Sequence, residues 1–173
     1  MTGTFNYAVP FGNNLHGAKG MLAKGWQTNG IVVWNTGMPF SEVNLVNRSG
    51  TRPGVSSSDR PNMVSSGKLH HSTIEEWFDT SAFAFQQVGT VGNQHRNQIY
   101  GPGLQRVDLS LFKNFPLMDR LDLEFRTEAF NVLNTAQFAF PTAILGNSAN
   151  GVISSTANAY NPRIVQFAAR LKF

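Results

Sequence analysis

Asp122, Glu124, Arg126 and Glu128 stand at alternate positions of one segment, and closely spaced carboxylates are what general acid–base chemistry uses. The same spacing also makes a polar wall, with cross-strand partners in Arg106, Asp108, Arg170 or Lys172. Nothing nearby marks a pocket or an activated nucleophile, so the wall is the expected reading and no enzymatic activity is expected. His70 and His71 are adjacent, His16 and His95 are isolated, and no carboxylate sits at zinc-ligand spacing beside them. Adjacent histidines on extended backbone point apart, so solvated loop residues are expected, with no metal and no other cofactor. Cys is absent, which removes thiol nucleophiles and Cys-based zinc sites. Trp26, Trp34, Tyr7 and Tyr100 offer faces that stack on sugars or bases. A girdle at a membrane interface explains the same residues more simply. Gly101-Pro102-Gly103 is a turn and opens no phosphate-binding helix. Arg48, Arg52, Arg60 and Lys68 make one long polar stretch basic, against Glu42 and Asp59. It could hold an anionic ligand, but a solvated loop is the expected reading.

The elements carrying these residues are strands, because the dominant period is two. Positions 121, 123, 125, 127 and 129 are Leu, Leu, Phe, Thr and Ala, opposite Asp122, Glu124, Arg126, Glu128 and Phe130. Val165, Phe167, Ala169, Leu171 and Phe173 alternate with Ile164, Gln166, Ala168, Arg170 and Lys172. Val107, Leu109, Leu111 and Phe115 oppose Arg106, Asp108, Ser110 and Asn114. Lys113 interrupts that apolar row near the strand end, where its long side chain can snorkel to an interface. Strands are expected near 4–11, 24–40, 104–116, 119–134 and 163–173. Pro10 belongs at a strand end or edge.

The connections alternate in length. Gly12 to Ala23 is a modest loop with Gly12-Asn13-Asn14, and Pro116-Leu117-Met118-Asp119 is a tight turn. The stretches 41–103 and 135–161 are long, and in an antiparallel meander both fall at one end of the sheet. Long loops at one end and short turns at the other is the asymmetry of outer-membrane β-barrels. No amphipathic helix of useful length covers the apolar face, and Ser72 to Phe83 is at most a short helical turn. A secreted β-sandwich binding carbohydrate is the alternative, but it needs more strands than the sequence offers. The expected fold is therefore all-β, an antiparallel up-and-down meander forming the C-terminal portion of a transmembrane outer-membrane β-barrel.

Composition agrees. The chain has 173 residues and a formal charge of +4 without long like-charge runs, a poor case for nucleic acid. Charged residues are 14%, against roughly 25% in soluble domains. Met1 to Phe5 lacks the basic start and apolar run of an export signal. That fits either a cytosolic protein or a piece whose signal lies upstream.

Several strings resemble TonB-dependent receptor-like barrels of the Oar-like type. Trp77-Phe78-Asp79-Thr80-Ser81-Ala82-Phe83 resembles that family's "WFNTAAF" segment, followed by Gly92-Asn93, Arg96-Asn97 and Gly101-Pro102-Gly103. Val107 to Phe115 is similar to its "DLSLFKNF" strand, and Phe125 to Asn134 to "FRAEAFNVFN". Gly25-Trp26-Gln27 and the terminal strand also fit. The resemblance implies the C-terminal part of a barrel of about 22 strands in the outer membrane, with 41–103 and 135–161 as extracellular loops. It implies as partners the outer-membrane lipid, the remaining strands and plug domain of a parent protein, TonB and the barrel-assembly machinery. The plug itself is not expected within 1–173. The resemblance further implies that Val165, Phe167, Ala169, Leu171 and Phe173 form the barrel-assembly signal.

Overall fold

A computed structural model describes residues 1–12, 14–51, 58–118, 120–157 and 160–173; Asn13, Arg52 and Asp119, named above, lie outside them. In chain order the elements are β1 (Thr2–Ala8), α1 (Gly17–Ala23), β2 (Trp26–Asn35), β3 (Pro39–Phe40) and β4 (Asn62–Met63). A 3-10 turn (Thr80–Ala82), β5 (Phe83–Ala84), β6 (Ile99–Tyr100), β7 (Leu104–Met118), β8 (Leu121–Phe130) and β9 (Ile164–Lys172) follow. They divide into two compact units.

The first unit is a single antiparallel sheet in the order β1-β2-β7-β8-β9, the expected up-and-down meander. Its register sorts the side chains by face. Thr28, Leu111, Thr127 and Phe167 lie in one row across four strands, and Trp26, Lys113, Phe125 and Ala169 in another. The opposite face carries Asn29, Ser110, Glu128 and Gln166 in one row, and Asn114, Glu124 and Arg170 in another. One face is thus an apolar band and the other a charged ladder.

Strand ends differ from the sequence reading for local reasons. β1 stops at Ala8 rather than position 11: the Val9 N–H makes one last bond to Trp26 O, and Pro10 has no N–H to give. β2 ends at Asn35, so 24–40 is not one strand; Pro39–Phe40 pairs instead with Ile99–Tyr100. Gly37 permits that departure, since a Cβ there would meet the Gly101 carbonyl oxygen at 1.6 Å. β7 continues past Pro116 to Met118 through a register shift, so three residues read as turn belong to the strand. The 12–23 connection, read as a loop, contains α1.

β8 ends at Phe130, not 134, because Asn131 and Asn134 take left-handed φ values of 51°. The Asn131 amide nitrogen donates to Thr135 O and Asn161 O, its oxygen accepts from Thr135 N, and its own N–H donates to Asp108. Asn134 accepts from Arg163 N and so starts the return towards β9. Asn131 to Asn134 is therefore a hydrogen-bonded corner. Asn131→Ala should cost about 2–3 kcal/mol, from lost side-chain bonds and an unfavourable left-handed backbone. Asn131→Gly should recover the backbone part, and chemical denaturation of the folded protein reads the difference.

The second unit comprises Thr36–Gly103 and a segment beginning at Gln137. The sequence reading treated these stretches as solvated loops, yet they carry their own core. Phe78, Ala82, Phe83 and Ile99 are buried, with Phe40, Met63 and Trp77 packed against them. Phe40–Phe78 and Phe78–Phe83 meet edge to face, each with centroids 5.8 Å apart. The helical turn expected over 72–83 shrinks to Thr80–Ala82, capped by the Asp79 carboxylate accepting from Ser81 N at 3.0 Å. A parallel bridge between Val43 and Ile144 ties the two segments together.

Candidate functional site

The charged face of the sheet is the first candidate. Glu124 accepts from Lys172, Glu128 accepts from Gln166, and Arg126 lies 3.6 Å from Glu128. The Arg126 guanidinium also sits 4.4 Å above the Phe112 ring. Arg106 grips Asp108 through both carboxylate oxygens, at 2.8 and 2.9 Å. Lys172 therefore supplies the expected cross-strand partner, whereas Arg106 and Asp108 pair within their own strand. Glu124, Glu128 and Asp108 each have a cation or amide beside them, as a row of structural pairs does.

On the apolar face, Tyr7, Trp26 and Phe115 cluster at the end bearing the short connections, and Trp34 lies at the other. Eight residues separate the two tryptophans, about 27 Å of extended strand, which at a tilt of about 35–45° rises about 19–22 Å, most of an apolar band of about 25 Å. Tyr100 is not part of this girdle: it lies in β6 of the second unit, its carbonyl accepting the Trp77 indole N–H at 2.8 Å. Lys113 is only 1% exposed. Its ammonium lies 5.4 Å from the Trp26 ring and 4.9 Å from the Phe115 ring, and it donates to Lys24 O. The ammonium is therefore enclosed by ring faces and a backbone carbonyl rather than snorkelling out to water, as the sequence alone suggests.

Val165, Phe167, Ala169 and Leu171 occupy the apolar face of β9, opposite Ala129, Thr127, Phe125 and Leu123. The Phe125 and Phe167 rings stack at 6.3 Å. Phe173 follows the strand and is fully exposed.

In the second unit two residues of the basic stretch, Arg48 and Arg60, are held by backbone carbonyls. Arg48 donates to Gln86 O at 2.7 Å and Arg60 to Gln94 O at 3.0 Å. Asp59 accepts from Ser49 and from Gln86. The His70 and His71 rings do not point apart: their centroids are 4.6 Å apart, because the chain bends there instead of running extended. Sequence reasoning missed Glu42. It is fully buried, its Oε1 accepts from Asn150 at 2.6 Å, and its Oε2 has no partner among the described residues. Burial pushes this carboxyl up to about 7, against a smaller opposing effect of the Asn150 bond. Only a lone carboxylate in a stretch of mixed polar and apolar residues was visible in the sequence.

A family model described as "Outer membrane beta barrel domain" matches residues 1–166. No curated protein matches, and no solved structure matches.

Proposed function

The chain belongs to the outer membrane β-barrel domain family and resides in the outer membrane, and from that premise we propose that it is an arc of a TonB-dependent receptor barrel. The observation that carries this reading is the two-faced sheet, an apolar band backed by a charged ladder. The ordered run of Oar-like strings over the same strands supports the finer assignment. In this reading the apolar band faces lipid and the ladder lines the lumen. The short connections face the periplasm, and the second unit forms the extracellular loops. β1 and β9 pair with further barrel strands, as open edges in lipid require. Val165, Phe167, Ala169, Leu171 and Phe173 are what the assembly machinery reads. The chain catalyses nothing; the paired carboxylates support that.

The test is uptake. Cells carrying the chain in its native gene context should take up an iron chelate, an oligosaccharide or a peptide, and deleting TonB should abolish it. Uptake that survives the deletion, with the chain still in the outer membrane, would leave a passive barrel and overturn the receptor assignment.

A further inference from the structure

The connection between β1 and β2 builds a surface with inverted polarity. α1 turns Gly20 inward, where an added Cβ would meet the Leu15 carbonyl oxygen at 2.5 Å. Ala23 lies against Gly12, whose added Cβ would come within 2.6 Å of the Ala23 methyl. Met21 and Leu22 are left outside, Leu22 66% exposed, with Leu15 and a 73% exposed Phe11 also bare. A surface helix in water does the reverse and turns its large apolar side chains inward. At helical spacing Ala18, Met21 and Leu22 share one arc, with Lys19 at its border.

Two further observations say what covers this arc. The patch is continuous with the apolar band, because the Trp26 indole N–H donates to Leu22 O at 3.0 Å. It is also basic: Lys19 and Lys24 belong to it, and no Asp or Glu precedes Glu42 in the chain.

We propose that α1, with Phe11 and Leu15, is an interfacial anchor whose occupant is anionic phospholipid of the leaflet at the short-connection end. Met21, Leu22, Leu15 and Phe11 enter the boundary between headgroups and acyl chains, as an amphipathic interfacial helix does. Lys19 and Lys24 meet the phosphates. The assignment rests on the membrane reading above, in which the apolar band faces lipid.

The chain lacks Cys, so one introduced thiol carries one label. Expressed in its native gene context, so that β1 and β9 have partner strands, the chain with Leu22→Cys bearing an environment-sensitive fluorophore is purified and inserted into vesicles of phosphatidylethanolamine and phosphatidylglycerol. Its emission should shift to the blue and be quenched by spin labels near the headgroups. Leu111→Cys, on the apolar band, should be quenched by labels deep in the acyl region. Lys19→Gln with Lys24→Gln should lower the preference for anionic over phosphatidylcholine vesicles tenfold or more, at about fivefold per lysine. Ala18→Cys reads the same arc should Leu22→Cys fail to fold. A deep Leu111 probe beside an aqueous position 22 or 18 keeps the membrane reading, assigns the patch to a protein partner and overturns the anchor. Two aqueous probes overturn both. An anionic preference that survives loss of both lysines shows that other groups read the phospholipid charge, and overturns the assignment of Lys19 and Lys24 to the phosphates.

Discussion

Phe167→Arg should abolish assembly into the outer membrane, while Gln166→Arg, one residue away at the same depth, should leave it intact. Phe167 lies in the row Thr28, Leu111, Thr127 and Phe167, and its ring stacks with Phe125. A guanidinium on the lipid side near the bilayer midplane costs about 2–4 kcal/mol, and the stacked contact is lost as well. That is a large share of the roughly 5–15 kcal/mol separating a folded domain from its unfolded chain. Gln166 points the other way and already donates to Glu128. An arginine there replaces an amide by a charged donor beside the same carboxylate. Outer-membrane fractionation and heat-modifiable migration on gels measure both variants. The opposite ranking would invert the two faces of the sheet.

Raising the pH from 5 to 8 should loosen the second unit, and Glu42→Gln should remove most of that dependence. Glu42 is buried and its carboxyl is raised to about 7, so the folded unit holds a proton that the unfolded chain has released. Its contribution is fully present below the ordinary carboxylate value of 4.5 and falls as pH rises through about 7. The span corresponds to on the order of 3 kcal/mol. The loss is felt where the chain segments join, because Asn150 donates to Glu42 through its amide nitrogen and accepts from the Ile144 backbone N–H through its oxygen. Gln keeps an acceptor for Asn150 and cannot ionise. Hydrogen exchange over 42–44 and 143–150 at the two pH values reads the effect; equal protection at both would refute it.

The sheet was readable in the sequence because each of its strands carries its own face assignment. Leu121, Leu123 and Phe125 against Asp122, Glu124 and Arg126 fix β8 without reference to any neighbour, and β9 repeats the code. The pairing of β8 with β9 then follows from chain order. α1 was not readable, since its Gly-Ala-Lys-Gly start has weak helix propensity and no apolar period. The core of the second unit was hidden for another reason. Phe40, Phe78, Phe83 and Ile99 come from distant segments with no period of two or 3.6, so only tertiary structure brings them together. Glu42 was hidden with them: a lone carboxylate among residues with no regular apolar period gives no local sign that it will be enclosed.

The main sheet contains five strands, and five is odd. In a strictly antiparallel meander, β1 and β9 therefore run in the same direction. Copies of this arc set side by side in one orientation would meet at parallel seams, β9 of each against β1 of the next. Turning a copy over would make the seam antiparallel, but it would carry the long connections to the opposite side of the bilayer. Closure without a parallel seam requires an odd number of further strands between β9 and β1, giving the even total of bacterial single-chain barrels. The arc thus has a polarity that a second copy of itself cannot complete.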